Sequence, residues 1–384
     1  MLILMEATPL VTMAICGDLV PTRSNASFFE RGEVSGALDE RLLFLLMTAD
    51  ARVINLEAPL FDGSAPTKKA GPALSAPTGC ANGLGQLSPI LALANNHILD
   101  HGPEGLDSTL GALDAGGIPA FGAGANRSLA AKPYIYKKDG LKIGLIACCE
   151  REFSVAGESS PGANPFDPLE TPDQLRRLKE VCDHVVVLYH GGIECYRYPS
   201  PGLRKTLRKL VEKGADLVVC QHTHAVGCYE EYEGGTIVYG QGNLLFDRRN
   251  DEYWRTALVV QATFDGGVHV QYLPVVHQGH RALMAKGDEA DVILSGFYAR
   301  SEEILSPGFV EKAFARRAEK ALEDALYALS GKDRLLTRID RRLGGILTRR
   351  AFTKRRMIDL INLTECDALR EQLLEGLKDR LEKT

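Results

Sequence analysis

Two histidines stand one residue apart in the stretch that runs from Gly214 to Asp247. The apolar run Asp216–Cys220 predicts a buried strand, and His222 and His224 follow it closely. Side chains two apart in extended backbone point to the same side, so we expect both imidazoles to face one point. Imidazoles at this spacing are typical of metal ligands. An isolated pair is more often one loop-capping and one solvated histidine, so the rest of the chain decides.

Four further predicted strands end in side chains that bind metals. These strands and their terminal residues are 11–16 with Asp18, 51–56 with Glu57, 90–94 with Asn96 and His97, and 185–189 with His190 and Glu194. In open α/β sheets, ligands bind outside the carboxyl ends of the strands. The sequence therefore predicts a single polar centre where the sheet edges meet.

The donor types in this set favour one or two borderline divalent ions. Mixed histidine, asparagine and carboxylate donors suit Mn, Fe or Zn better than Ca or Mg alone. A bridging carboxylate and three imidazoles can hold two ions, which activate water and clamp the oxygens of a phosphoryl group. His97 would then serve as general acid to the leaving oxygen. The candidate catalytic residues are His97, Asp18 and Glu194, and the candidate substrate-binding residues are Arg23, Lys68 and Asn243.

The intervening patterns indicate an α/β domain. Helical spacing of apolar residues predicts helices near 38–48, 105–115, 174–182 and 203–213. Alternation predicts antiparallel strands at 257–264 and 268–276. Segments rich in Gly and Pro, 61–79 and 150–172, predict loops that cross the site.

Composition restricts the class of protein. Apolar residues make up 45% and charged residues 25%, as in ordinary globular proteins. A net charge of -5 argues against nucleic acid as the main partner. Nine cysteines without regular spacing do not indicate a disulfide framework and favour a reducing compartment. The first fifteen residues lack a basic segment and contain Glu6 and Pro9, so we expect no signal peptide and no membrane span, and a cytoplasmic protein.

The character of the chain changes near residue 281. We expect a domain at 11–280 and a helical, partly basic extension at 281–384. From Arg341 to Arg356 there are seven basic residues and no acidic one. Such a run is compatible with a solvated helical face, or with a contact to a membrane surface, an anionic polymer or a biosynthetic complex. A homodimer through these helices also remains open.

The strand-end motifs together resemble the CapA family of capsule and poly-gamma-glutamate biosynthesis proteins. The resemblance covers about residues 13–278 and is carried by Cys16-Gly17-Asp18, Asn55-Leu56-Glu57, Asn95-Asn96-His97 with Asp100 and Gly102, His190-Gly191 with Glu194, and Gly214-Ala215-Asp216 through His222-x-His224 to Tyr239-Gly-x-Gly-Asn243. It implies the calcineurin-like metallophosphoesterase fold, a four-layer α/β/β/α sandwich with a C-terminal helical extension in this chain. If the family's metal ligands are matched to this sequence, the resemblance implies that Glu57 takes the place of the bridging carboxylate. Asn96, His190 and His222 would form the second metal site, and Asp18 with His224 the first.

The resemblance also implies a function, with two departures in this chain. Superfamily members usually place a histidine two residues after the first aspartate, where this chain has Val20, and their bridging residue is normally Asp. The implied activity is divalent-metal-dependent hydrolysis of a phosphoester or a related small anionic substrate. The alternative is a non-catalytic assembly or binding factor for anionic polymer synthesis that uses the metal cleft for binding. A metal-stabilised fold without turnover is a third reading.

Overall fold

The computed structural model describes residues 10–246 and 251–383. Glu6, Pro9 and Asp247, which the sequence analysis used, lie outside these ranges. The described strands are β1 Val11–Leu19, β2 Ala51–Leu56, β3 Ile90–Ala92, β4 Ala120–Phe121, β5 Ala123–Gly124, β6 Tyr134–Lys138, β7 Leu141–Cys149, β8 Gly162–Ala163, β9 His184–His190, β10 Leu217–Gln221, β11 Tyr229–Tyr232, β12 Gly235–Val238, β13 Asn243–Leu245, β14 Thr256–Phe264, β15 Val268–Gln278 and β16 Arg281–Met284. The described α-helices are α1 Ala26–Glu30, α2 Glu40–Thr48, α3 Ala81–Gln86, α4 Gly102–Ala115, α5 Arg127–Ala130, α6 Glu170–Lys179, α7 Pro201–Glu212, α8 Gly287–Glu303, α9 Phe309–Leu329, α10 Arg334–Arg342, α11 Ile346–Ala351, α12 Lys354–Glu365 and α13 Asp367–Glu382.

Two large sheets carry the fold. The first has the order β16-β15-β14-β1-β2-β3-β4, with β13 paired to β1. Strands β1 to β4 are parallel, whereas β14, β15 and β16 continue the sheet antiparallel. The second sheet has the order β11-β12-β10-β9-β7-β6, parallel from β12 to β7. The carboxyl ends of the parallel strands carry the polar residues that the sequence analysis selected.

Three apolar cores separate four layers. One core lies between the first sheet and helices α1 to α4, and includes Phe29, Leu42 and Leu106. A second core lies between the two sheets, where Val53 and Val219 are members. A third joins the second sheet to α6 and α7. The layer order is therefore α/β/β/α, which confirms the predicted fold class.

Local sequence explains the elements that position the site. Strand β9 has the sequence HVVVLYH and is buried along its whole length, as expected for a β-branched central strand of a parallel sheet. Helix α7 starts at Pro201, and the side chain of Ser200 caps it by accepting from the Leu203 amide. Leu203, Leu207 and Leu210 lie on one face of α7 and pack on the second sheet.

The chain divides into two compact units, Met1–Glu311 and Lys312–Thr384. The first unit extends past residue 280 because helix α8 packs on it. The domain bounds 11–280 and 281–384 stay a prediction. The ring of Phe297 lies 4.6 Å from Tyr272 and 5.4 Å from Tyr229, and Arg300 Nε donates to the Gly227 carbonyl at 2.8 Å.

The second unit consists of helices. Asp340 in α10 is fully buried and accepts hydrogen bonds from Lys332 Nζ at 2.6 Å and from the Thr348 amide at 2.9 Å. Within the described ranges, no helix is both long and apolar enough to cross a membrane. All nine cysteines are free. The cytoplasmic location stays a prediction.

Candidate metal centre

Glu57 lies at the centre of a buried polar cluster. It follows β2 directly and is completely buried. Two groups of potential metal donors share its carboxylate: Glu57 with His190 and His222, and Glu57 with Asp18 and His224. Within each group the donor atoms lie within 4.8 Å of one another. The structure thus brings together the five His and carboxylate residues that the sequence analysis assigned to metal.

The ends of both sheets converge on this cluster. Asp18 lies near the end of β1, at an irregularity in its pairing, and is opposite Asn243 of β13. His190 ends β9, and His222 follows β10. Gln221 Nε2 donates to the Cys16 carbonyl at 3.0 Å, which joins the second sheet to the first beside the site.

The two histidines after β10 reach the cluster through a left-handed backbone, not through extended chain. His222 has a φ of 86° and His224 a φ of 52°. Such conformations cost about 1–3 kcal/mol each for residues other than glycine. Both rings thus reach the same carboxylate, but not through the strand alternation expected from the sequence. The rings lie 6.0 Å apart and belong to different donor groups that share Glu57.

The group around His190 presents nitrogen and oxygen donors to one point. His190 Nε2 lies 3.0 Å from Asn96 Oδ1 and 3.3 Å from Glu57 Oε1. The ring of His222 lies 4.9 Å from that of His190. The Asn96 amide nitrogen donates to Glu152 Oε2 at 3.1 Å, which leaves the amide oxygen directed at His190.

The group around Asp18 is hydrogen-bonded on both carboxylate oxygens. Oδ1 accepts from Asn55 Nδ2 at 2.8 Å, and Oδ2 accepts from the His222 amide at 3.2 Å. His224 Nδ1 lies 3.3 Å from Asp18 Oδ2 and 2.8 Å from Asn243 Oδ1. The indole of Trp254 packs against the His224 ring at a tilt of 31°, with the ring centroids 4.2 Å apart.

Burial and charge set the protonation of the cluster. Burial opposes ionisation of Asp18, but its hydrogen bond to His224 and the histidine charges outweigh this and lower its pKa to about 2. Burial likewise disfavours charged His224, yet Glu57 and Asp18 raise its pKa to about 9. Burial, and then the Asp18 charge, raises the pKa of Glu57 to about 8. Burial lowers the pKa of His190 to about 4 and, with the neighbouring histidines, that of His222 to about 3.

These residues fit a divalent cation. Three buried atoms have no hydrogen-bond partner among the described residues. They are both carboxylate oxygens of Glu57 and Nδ1 of His222. Buried polar atoms normally have partners, and a buried carboxylate without one is costly. The imidazoles of His190 and His222 are neutral, which is the form that binds metal. A cation between these donors would satisfy all of them.

His97 lies beside the cluster and is held through one ring nitrogen. Its Nδ1 lies 2.6 Å from Asp100 Oδ2 and 3.2 Å from Lys69 Nζ. Its amide donates to Asn95 Oδ1 at 3.1 Å. Because both neighbours engage Nδ1, Nε2 is the nitrogen left to transfer a proton.

The remaining predicted residues occupy different environments. Glu194 is exposed, but its charge raises the pKa of both Glu57 and His222, so it lies at the mouth of the cluster. Asn243 is buried and its Oδ1 lies 2.8 Å from His224 Nδ1, so it can orient that histidine, and its contact with a substrate stays a prediction. Arg23 lines an open surface cavity of about 480 Å³. Lys68 is exposed, whereas its neighbour Lys69 is buried against Asp100.

Several site residues were missed by the sequence analysis. Glu152 follows β7, so the reasoning applied to the other strand ends would have found it. Asn55, two residues before Glu57, was named only as part of a motif, and its hydrogen bond to Asp18 was not predicted. Trp254 gave no local signal of a contact with His224. Val20, at the position where the superfamily has a histidine, is buried in an apolar cluster with Phe246 and Trp254.

The sheets, their layers and the paired donor groups define a metallophosphoesterase-like class of protein. Residues 12–248, more than half of the chain, match the family described as bacterial capsule synthesis protein PGA_cap. The chain belongs to this family, which confirms the predicted resemblance.

Two named relatives support the assignment. The chain is 33% identical over 163 residues to the PGA biosynthesis protein CapA of Bacillus subtilis, a match that covers 41% of this chain and 43% of the relative. It is 29% identical over 188 residues to the capsule biosynthesis protein CapA of Bacillus anthracis, covering 47% and 46%. The aligned region thus spans less than half the length of either relative.

Solved structures show only a distant likeness. A novel phosphatase from Mycoplasma pneumoniae is 13% identical, with a TM-score of 0.46 over 70% of this chain and 94% of the other. A putative 5'-nucleotidase from Staphylococcus aureus is 14% identical, with a TM-score of 0.44 over 75% and 58%.

Proposed function

We propose that this chain is a divalent-metal-dependent hydrolase that acts on a phosphoester or a related anionic substrate in capsule or poly-gamma-glutamate biosynthesis. The observation that carries the proposal is the buried carboxylate of Glu57, which has no hydrogen-bond partner among the described residues and is shared by two donor groups. A purely structural role would not leave both oxygens of a buried carboxylate unpartnered.

The residues of the site would have separate roles in metal binding, proton transfer and substrate contact. Glu57 would bridge two ions, with Asn96, His190 and His222 on one side and Asp18 and His224 on the other. Bound divalent ions would supply positive charge for phosphoryl oxygens and Lewis acidity that activates water. Asp100 fixes the His97 ring through Nδ1, so that Nε2 can donate a proton to the leaving oxygen. Glu194 would face the entering substrate.

The test compares metal content with turnover. Elemental analysis of freshly purified protein should find one or two equivalents of Mn, Fe or Zn. His190→Ala and His222→Ala should each lose metal and lose hydrolysis of p-nitrophenyl phosphate or bis(p-nitrophenyl) phosphate. His269→Ala is the matched control because this histidine is exposed and pairs with Asp265 at 3.1 Å, away from the donor groups.

Each outcome bears on the proposal. Retained turnover in either ligand variant would defeat the assignment of the site. Bound metal in the wild-type protein, without turnover of any phosphoester in a broad screen, would favour the alternative of a binding factor that uses the metal cleft.

A further inference from the structure

The described helices of the second unit expose cationic and aliphatic side chains together. We define the basic aliphatic surface as the exposed side chains of residues 334–358, on α10, α11 and the start of α12. We propose that this surface binds the anionic headgroups of a lipid membrane. This proposal concerns a contact separate from the metal centre and does not depend on hydrolysis.

The charge of this segment is strongly one-sided. Its nine basic residues are Arg334, Arg338, Arg341, Arg342, Arg349, Arg350, Lys354, Arg355 and Arg356. Its one acidic residue, Asp340, is completely buried and bonded to Lys332 and Thr348, so it offers no negative charge to the surface. Arg342, Arg350 and Arg355 are exposed and have no polar partner among residues 10–246 and 251–383. Their charges are therefore available to an external anion.

Aliphatic side chains lie among these cations. Leu335 is 66% exposed and Ile339 43%, and Leu343 at the end of α10 is 54% exposed. Residues spaced by four lie on one face of a helix, so these three form an apolar stripe. In α12, Ile358 is 55% exposed beside Lys354 and Arg355. Clustered exposed apolar side chains indicate a contact surface, whereas single ones do not.

Cationic and aliphatic side chains together favour an anionic lipid surface over a second copy of the chain or a soluble acidic polymer. An amphipathic helix with Lys or Arg on its polar face lies in the membrane interface and buries its apolar face among the lipids. Arg341 is paired with Asp324 at 2.6 Å. A symmetric dimer would place the same patch on both copies, so the arginines that lack a partner within the described ranges would meet like charges across it. A soluble acidic polymer would satisfy the arginines but leave the aliphatic stripe in water. Anionic lipid satisfies both.

The test is flotation of the full chain with vesicles. We expect binding to vesicles of phosphatidylcholine mixed with phosphatidylglycerol, and none to phosphatidylcholine alone. Each basic residue near such a surface contributes about 1 kcal/mol, so the triple variant Arg342→Gln, Arg350→Gln, Arg355→Gln should bind roughly 100-fold more weakly at low salt. The double variant Leu335→Gln, Ile339→Gln should also bind more weakly. High salt should weaken wild-type binding because it screens the charges.

The matched control carries the same change of charge elsewhere. This control is a triple variant that alters three exposed basic residues of α6 and α7, namely Arg176→Gln, Arg177→Gln and Lys205→Gln. It should bind vesicles as the wild type does. Equal loss in both triple variants, or equal binding to neutral vesicles, would overturn the proposal. Equally tight binding of soluble poly-L-glutamate, unaffected by the aliphatic double variant, would assign the surface to an acidic polymer instead. A dimer that this variant abolishes, without vesicle binding, would assign it to self-association.

Discussion

The side chains of Lys69 and Asp100 form an ion pair inside the protein, with exposures of only 4% and 0%. Lys69 Nζ also lies 3.2 Å from His97 Nδ1 and donates to the Asn96 carbonyl at 3.3 Å. Lys69 belongs to the loop between β2 and α3. In the same loop, the Thr67 amide donates a hydrogen bond to the Asp100 carbonyl at 2.8 Å. The pair therefore ties this loop to the turn that carries Asn96 and His97.

Lys69→Met should destabilise the protein by about 3–5 kcal/mol, because it leaves Asp100 buried without its cation. It should also weaken metal binding, since the turn that holds Asn96 loses an anchor. Urea unfolding and a Mn²⁺ titration measure the two effects. Lys68→Met is the control for the adjacent exposed lysine and should change stability by less than about 0.5 kcal/mol.

A double variant distinguishes the ion pair from a general disturbance of the loop. Lys69→Met combined with Asp100→Asn removes both charges and should be much less destabilised than the two single changes summed. Additive losses would mean that the pair contributes little by itself.

Glu57→Gln should have opposite effects in metal-free and metal-loaded protein. In chelator, the variant should be more stable than the wild type by about 2 kcal/mol, because it removes a buried carboxyl group that has no hydrogen-bond partner among the described residues. With Mn²⁺ in excess, the wild type should gain stability from binding while the variant does not, so the order reverses. Thermal unfolding with and without metal measures this. A variant that is less stable in chelator would show that Glu57 has a structural partner.

Much of the fold and of the site could be predicted because both depend on strand ends. Buried runs such as β9 and β10 are apolar throughout, so each polar residue at the end of a run stands out. Parallel strands place their carboxyl ends at one edge, which is why Glu57, His190 and His222 meet although they are far apart in the chain. The candidate donors could therefore be found from local patterns, whereas their division between two metal sites came from the family resemblance.

Other features of the structure could not be predicted because no local sequence pattern encodes them. The loop that carries Lys68 and Lys69 has no periodicity, so sequence could not tell which lysine turns inward. The positive φ of His222 is imposed by the surrounding structure and not by its residue type. Helix α8 buries Ile293 and Phe297 on one side, but the sequence does not reveal which partner that side meets, so α8 was grouped with the C-terminal helices.

Trp254 should report metal binding by its fluorescence. It is the single tryptophan of the chain, and the centroid of its indole lies 4.2 Å from that of the His224 ring. Paramagnetic Mn²⁺ bound at His224 should quench the emission with a saturable dependence on concentration, whereas diamagnetic Zn²⁺ should quench less. His224→Ala should abolish the saturable quenching, and His269→Ala, at an exposed position, should leave it unchanged. Unaltered quenching in His224→Ala would place the bound metal away from this ring.

Glu230 forms a buried cluster of charges on the second sheet, away from the metal donors. It is paired with Arg204 at 2.6 Å and with Arg208, and Tyr239 donates to it at 2.8 Å. Burial alone would raise its pKa, but the hydrogen bonds from these three side chains outweigh burial and lower it to about 2. A carboxyl whose pKa is lower in the folded state stabilises the protein above its unfolded pKa of about 4.3. That stability is lost as the pH falls from about 4.3 through 2.

Glu230→Gln should therefore lower the free energy of unfolding by about 3 kcal/mol at pH 7, because each unit of pKa shift corresponds to about 1.4 kcal/mol. At pH 2, close to the folded-state pKa, about half of the wild-type carboxyl is protonated and most of the stabilisation is lost, so most of the difference between the two proteins should disappear. Urea unfolding at several pH values between 2 and 7 measures this convergence. Glu233→Gln, at an exposed turn position, should match the wild type at every pH. A difference for Glu230→Gln that does not change with pH would mean that the glutamate acts through its shape and not through its charge.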